Sequence, residues 1–141
     1  MDNMDVLLCE SRPGAAANEE RTLAAAGHAV HRCYVRGQVG IACVALVGRP
    51  CPLDVAPIDV AVNVRDDLSQ IMSPIEEGAL CALHRHIPVV VVGPVCPAPL
   101  AGRTITAEDG ADLVQLIADM AASHLLLHGA AAQAVGEPDL E

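Results

Sequence analysis

The chain has 141 residues, 52% of them apolar, a single aromatic in Tyr34, and a net charge of −10 in which all eight basic residues are arginines and none is lysine. Such a length and apolar fraction predict one globular domain and exclude a disordered chain. The missing lysine excludes a P-loop, a Schiff-base site and a lysine beside an aspartyl phosphate, while the acidic balance, with no basic stripe, excludes nucleic-acid binding.

The acidic start from Asp2 to Asp5 lacks the cationic lead-in of a signal peptide. No apolar run reaches the length of a membrane span, so a cytoplasmic protein without membrane contact is expected. Asp5-Val6-Leu7-Leu8-Cys9 is the first predicted strand; its unbroken apolarity calls for burial on both faces, and Glu10 to Gly14 is a turn cluster. Ala15 to Ala26 mixes alanines with Glu19, Glu20 and Arg21 and predicts a helix, closed by Gly27 at the position of a C-terminal cap. His28 to Val35 reads as a short edge or near-edge strand, with a loop at 36–40. Ile41 to Val47 is too short for periodicity to separate helix from strand; helix is favoured because another strand follows so soon.

Three prolines between Gly48 and Pro57 predict an extended, irregular connection before a strand from Ile58 to Val64. Ser73-Pro74-Ile75-Glu76 is a capping box with proline at the first helical position, so a helix runs to about His84. His84, Arg85 and His86 then lie at the negative end of its dipole. Val89 to Val92, between Pro88 and Gly93, is a central parallel strand. Pro94 to Pro99 forms a second proline-rich loop around Cys96, and Thr104 to Thr106 a brief last strand. Thr106 and Asp109 can cap a final helix with Leu113, Val114, Leu116, Ile117, Met120 and Ala121 on its inner face. Apolarity then wraps round at Leu125, Leu126 and Leu127, a surface that a second subunit would have to cover. Leu113, Leu116, Ile117, Met120, Leu125, Leu126 and Leu127 are therefore expected at a homodimer interface. Residues 1–135 make one domain, with 123–135 on the partner subunit and 136–141 a loose tail.

This order of strands and helices predicts a three-layer, doubly wound α/β fold of flavodoxin-like type, with a mainly parallel five-stranded sheet and an extended C-terminal helix. Val6-Leu7-Leu8-Cys9-Glu10, Arg21 through Val30, Ile58-Asp59-Val60-Ala61-Val62 and Pro88 to Val92 resemble the first strand, first helix and second, third and fourth strands of a response-regulator receiver domain. The resemblance spans roughly residues 5–122. It implies an acidic pair after the first strand, an aspartate ending the third, a Ser or Thr ending the fourth and a lysine ending the fifth. Here those places hold Glu10-Ser11, Asn63 or Val64, and Gly93, and the lysine is gone. A lone Glu10 does not hold Mg²⁺ as a carboxylate cluster does, and Asn63 forms no acyl phosphate; Asp66 or Asp67 replaces it only if the register slips. The resemblance implies a pseudo-receiver, a non-catalytic regulatory domain that binds itself and another protein.

An alternative comes from the rule that such sheets bind ligands at the carboxyl ends of their strands. Glu10, Ser11, Arg12, Asn63, Arg65, Asp66, Gly93 and Pro94 gather there as a small-ligand site, against the plain reading of strand-end turns. Six cysteines, none in a C-x-x-C pair, predict free thiols in a reducing compartment. Cys9, Cys33 and Cys96, with His28 or His31, are candidates for a soft-metal or thiol site, but no close-spaced ligand pair marks a metal. Packing as small hydrophobes is the simpler account. Cys51, between Pro50 and Pro52 with Arg49 beside it, is the candidate reactive thiol of a thiol-dependent enzyme; a loop stiffened by prolines is the competing account. No nucleophile-elbow, zincin or dinucleotide motif is present, and no cofactor or metal is expected.

Overall fold

Runs of valine and leucine with no interior charge pair side by side as parallel strands, because only burial on both faces suits them. In the computed structural model, which describes residues 3–34 and 43–122, these are β1 (Asp5–Glu10), β2 (Ala29–His31), β3 (Val60–Val64), β4 (Val89–Val92) and β5 (Ile105–Ala107). All neighbours are parallel, in the order β2-β1-β3-β4-β5, so the expected doubly wound, flavodoxin-like sheet is what forms. The strand β2 lies at an edge, and β4 is enclosed along its whole length.

Alternate residues feed two cores. Val6, Leu8, Val60, Val62, Val90 and Val92 pack with Leu23 of α1 (Ala17–Ala25) and with Leu113 and Ile117 of α4 (110–122). Leu7, Cys9, Ala61, Val89 and Val91 pack on the opposite face with Leu53 of the single-turn α2 (Pro52–Val55) and with Ala79 and Ala82 of α3 (Glu77–His84). Helices thus cover both sides, the third layer coming from the crossovers that parallel strands require. No helix among the described residues is long and apolar enough to cross a membrane.

Helix ends follow local chemistry. Gly27 has φ +94, and with Gly27 N donating to Ala24 O and His28 N to Leu23 O it closes α1 as a Schellman motif. The same pair of bonds ends α3, with His86 at φ 61 in the place that glycine usually takes. At the other end of that helix the Glu76 carboxylate accepts from Ser73 N at 2.8 Å, and a 3-10 turn (Pro74–Glu76) leads into α3.

Several expectations change. The 48–57 connection is not wholly extended, because Pro52 occupies the first position of α2, where its missing N–H is no loss. Val44–Val47 is a 3-10 turn, the tight form that so short an apolar run permits. Asp109 rather than Thr106 caps α4, accepting from Asp112 N at 2.9 Å. Leu113 and Ile117 are fully enclosed in the core of their own chain, and Leu116 and Met120 pack partly on the same core. Val35, the 36–40 loop, Ile41 and Ala42, the proposed dimer segment with Leu125, Leu126 and Leu127, and the tail from Gly136 lie outside the described residues.

Candidate functional site

The carboxyl ends of β1, β3 and β4 bring Glu10, Ser11, Arg12, Asn63, Arg65, Asp66 and Gly93 to one edge, as the chain order requires. Its charged side chains are directed to other protein groups, while the buried Asn63 Oδ1 has no hydrogen-bond partner. Glu10 and Asn63 point to opposite faces, since Glu10 pairs with Val64 across the strands and Asn63 pairs with Cys9. Asn63, Arg65 and Glu76 form one buried network. The side chain of Arg65, just past β3, is 0% exposed, with Nε donating to Glu76 Oε2 at 2.6 Å. Its two Nη groups donate to Ser69 O at 2.5 Å and Ile71 O at 2.8 Å. Asn63 Nδ2 adds a bond of 2.9 Å to Glu76 Oε2. A buried charge persists only when so paired and hydrogen-bonded, and here the pairing also fixes the loop that follows β3.

Glu10 faces the α1 side. Its Oε1 accepts from Ala16 N at 2.9 Å at the start of α1, and its Oε2 lies 3.2 Å from Arg32 Nη1. Arg32 also reaches Glu20 Oε1 at 2.8 Å, bonds the Tyr34 hydroxyl, and lies 5.4 Å from the Tyr34 ring centre. Between the two networks, Ser11 Oγ donates to Asp66 Oδ1 at 3.1 Å and Arg12 pairs with Asp66 Oδ2. Gly93, at φ +137, lies directly against the Arg65 backbone. Six of the eight expected ligand residues, Glu10, Ser11, Arg12, Asn63, Arg65 and Asp66, are therefore neighbours by position yet engaged in three internal sets of partners. Arg32, Glu20 and Glu76 complete those sets; sequence reasoning passed over them because their partners lie on other elements.

Burial pushes the Tyr34 phenol well above its ordinary value, opposed by the Arg32 charge. The folded chain then keeps a proton that the unfolded chain loses near pH ~10, so this contribution to stability is complete below that pH and declines as pH rises beyond it. As the single aromatic, Tyr34 reports this directly. In an alkaline titration, native phenolate absorbance should stay absent through the range in which the urea-unfolded chain titrates; coincident curves would contradict the burial.

The thiols sort differently from expectation. Cys96 does not join Cys9 and Cys33: its Sγ lies 3.6 Å from Thr104 Oγ1 in the loop after β4. His28 and His31 are at the amino edge, bonded to Met4 N at 3.1 Å and Asp5 Oδ1 at 2.9 Å. Instead Cys33, Cys43, Cys51 and Cys81 line a cavity of about 190 Å³ between α3 and the 43–53 segment. Cys51 is half-buried there, at the start of α2 rather than on an open loop. Among the described residues no group of three or more His, Cys, Asp or Glu side chains is placed to hold a metal ion.

No protein-family model, curated protein or solved structure matches this chain. A doubly wound sheet alone hosts many functions.

Proposed function

We propose that this chain is a non-catalytic, receiver-like regulatory domain that acts by binding another protein at the carboxyl edge of its sheet. The observation that carries the reading is the loop after β3. Leu68 and Ile71 are 78% and 80% exposed there, while the buried Arg65 side chain holds the backbone of Ser69 and Ile71. Large aliphatic side chains presented on a fixed backbone bind without much loss of conformational entropy. The lack of phosphotransfer is supported by Asn63 at the end of β3 and by the missing lysine. Self-association through Leu125, Leu126 and Leu127 and a cytoplasmic setting, which suits six cysteines without a disulfide among the described residues, belong to the same proposal.

Cross-linking of the native chain in extract, read by mass spectrometry, is expected to place partner cross-links in segment 66–73. The double variant Leu68→Ser/Ile71→Ser should lose them while its circular dichroism is unchanged. No label should enter from radioactive acetyl phosphate. Incorporation of label, or a partner indifferent to the double variant, would overturn the reading.

A further inference from the structure

The cysteines carry a second inference, separate from the interaction reading. Strands β1 and β2 run parallel with Asp5 opposite Ala29 and Leu7 opposite His31; Cys9 lies further along β1, and Cys33 lies in the bend just past the end of β2. Both side chains point to the α3 face and meet at Gly78, where an added methyl would lie 2.5 Å from Cys33 Sγ and 3.0 Å from Cys9 Sγ. The absent side chain of Gly78 is what gives the two sulfurs room. Cys9 is wholly enclosed, whereas Cys33 forms part of the wall of the 190 Å³ cavity, whose outer wall includes the exposed Cys81.

We infer that Cys9 and Cys33 are a dithiol site that a small hydroperoxide, entering through this cavity, converts to a disulfide. The Cys33 sulfur, as thiolate, attacks the distal peroxide oxygen; the O–O bond breaks and the departing alkoxide or hydroxide takes up a proton. Cys33 is left as a sulfenic acid. The Cys9 sulfur then attacks the Cys33 sulfur, the S–O bond breaks, and water leaves with the Cys9 proton. Two electrons pass from the thiols to the peroxide, which is reduced to an alcohol or water. The roles follow from position, since Cys33 borders the cavity and Cys9 does not. They agree with the hydrogen bond between the thiols, which holds Cys33 below its ordinary range and pushes Cys9 above its own.

The test treats the full native chain with hydrogen peroxide, then denatures it, alkylates free thiols and maps peptides by mass spectrometry. A Cys9–Cys33 disulfide is expected, with a loss of two hydrogen atoms and two fewer alkylated thiols than the six of the reduced chain. It should form faster in the folded chain than in the same chain unfolded in urea. Cys81→Ser should leave this unchanged, and Cys9→Ser should leave a Cys33 sulfenic acid trapped by dimedone. Six intact thiols in the folded wild type, oxidation confined to Cys81 or Cys51, or a rate no greater folded than unfolded would each overturn the inference.

Discussion

Glu76→Gln is expected to remove about 3 kcal/mol of stability or more, the usual loss when one member of a buried ion pair is deleted. The carboxylate is 0% exposed, and its partners Arg65 Nε, Arg65 Nη2, Asn63 Nδ2 and Ser73 N are all donors. Glutamine keeps the shape but turns an NH₂ group toward these donors and leaves the Arg65 charge to Asp67, which is 3.4 Å away and half exposed. Urea unfolding reads the effect as a lower midpoint at constant slope. Adding Arg65→Met to the variant should recover part of the loss, because replacing both partners removes the uncompensated charge. A single-variant loss below about 1 kcal/mol, the scale of an exposed pair, would mean the network is not sealed from water.

Gly93→Ala is expected to be comparably damaging. A Cβ there would overlap the carbonyl oxygen of Arg65 and lie 3.0 Å from its carbonyl carbon. That backbone has little freedom to retreat, since Arg65 N donates to Val92 O at 2.8 Å and the side chain is tethered to Glu76. Strain at φ +137 and overpacking together suggest a loss of about 3 kcal/mol, a fall in melting temperature on the order of 10 °C. Gly14→Ala is the control: φ is +95 but nothing lies within 4 Å, so only the conformational part, about 1 kcal/mol, should appear. Equal losses at both positions would show that steric contact at Gly93 contributes nothing.

Both variants act on the edge where the sequence suggested a ligand site, and they show why that suggestion was only half informative. Position along the chain was enough to bring Glu10, Asn63, Arg65 and Gly93 to one edge. It did not reveal that Glu10 turns to Arg32 on one face while Asn63 and Arg65 turn to Glu76 on the other. Glu76 was read as a helix cap, which it is, but the same carboxylate also neutralises Arg65. The thiols make the same point. Cys9, Cys33 and Cys96 were a candidate group with His28 or His31, yet the gathering of Cys33 with Cys43, Cys51 and Cys81 depended on how α2 and α3 pack.

By itself the sequence determined the periodic part of this protein: unbroken valine and leucine runs that can only be parallel strands covered on both sides, and helix ends marked by Gly27 and by the Ser73 to Glu76 box. These are settled within a few residues by local sterics and by the need to bury apolar surface. Tertiary structure alone decided that Glu76 meets Arg65 and Asn63, that Glu10 meets Arg32, and that Cys33 meets Cys9 at Gly78. Strand order β2-β1-β3-β4-β5 sets residues far apart in the chain side by side, and the face on which each lands decides whether a carboxylate meets an arginine, a helix end or water.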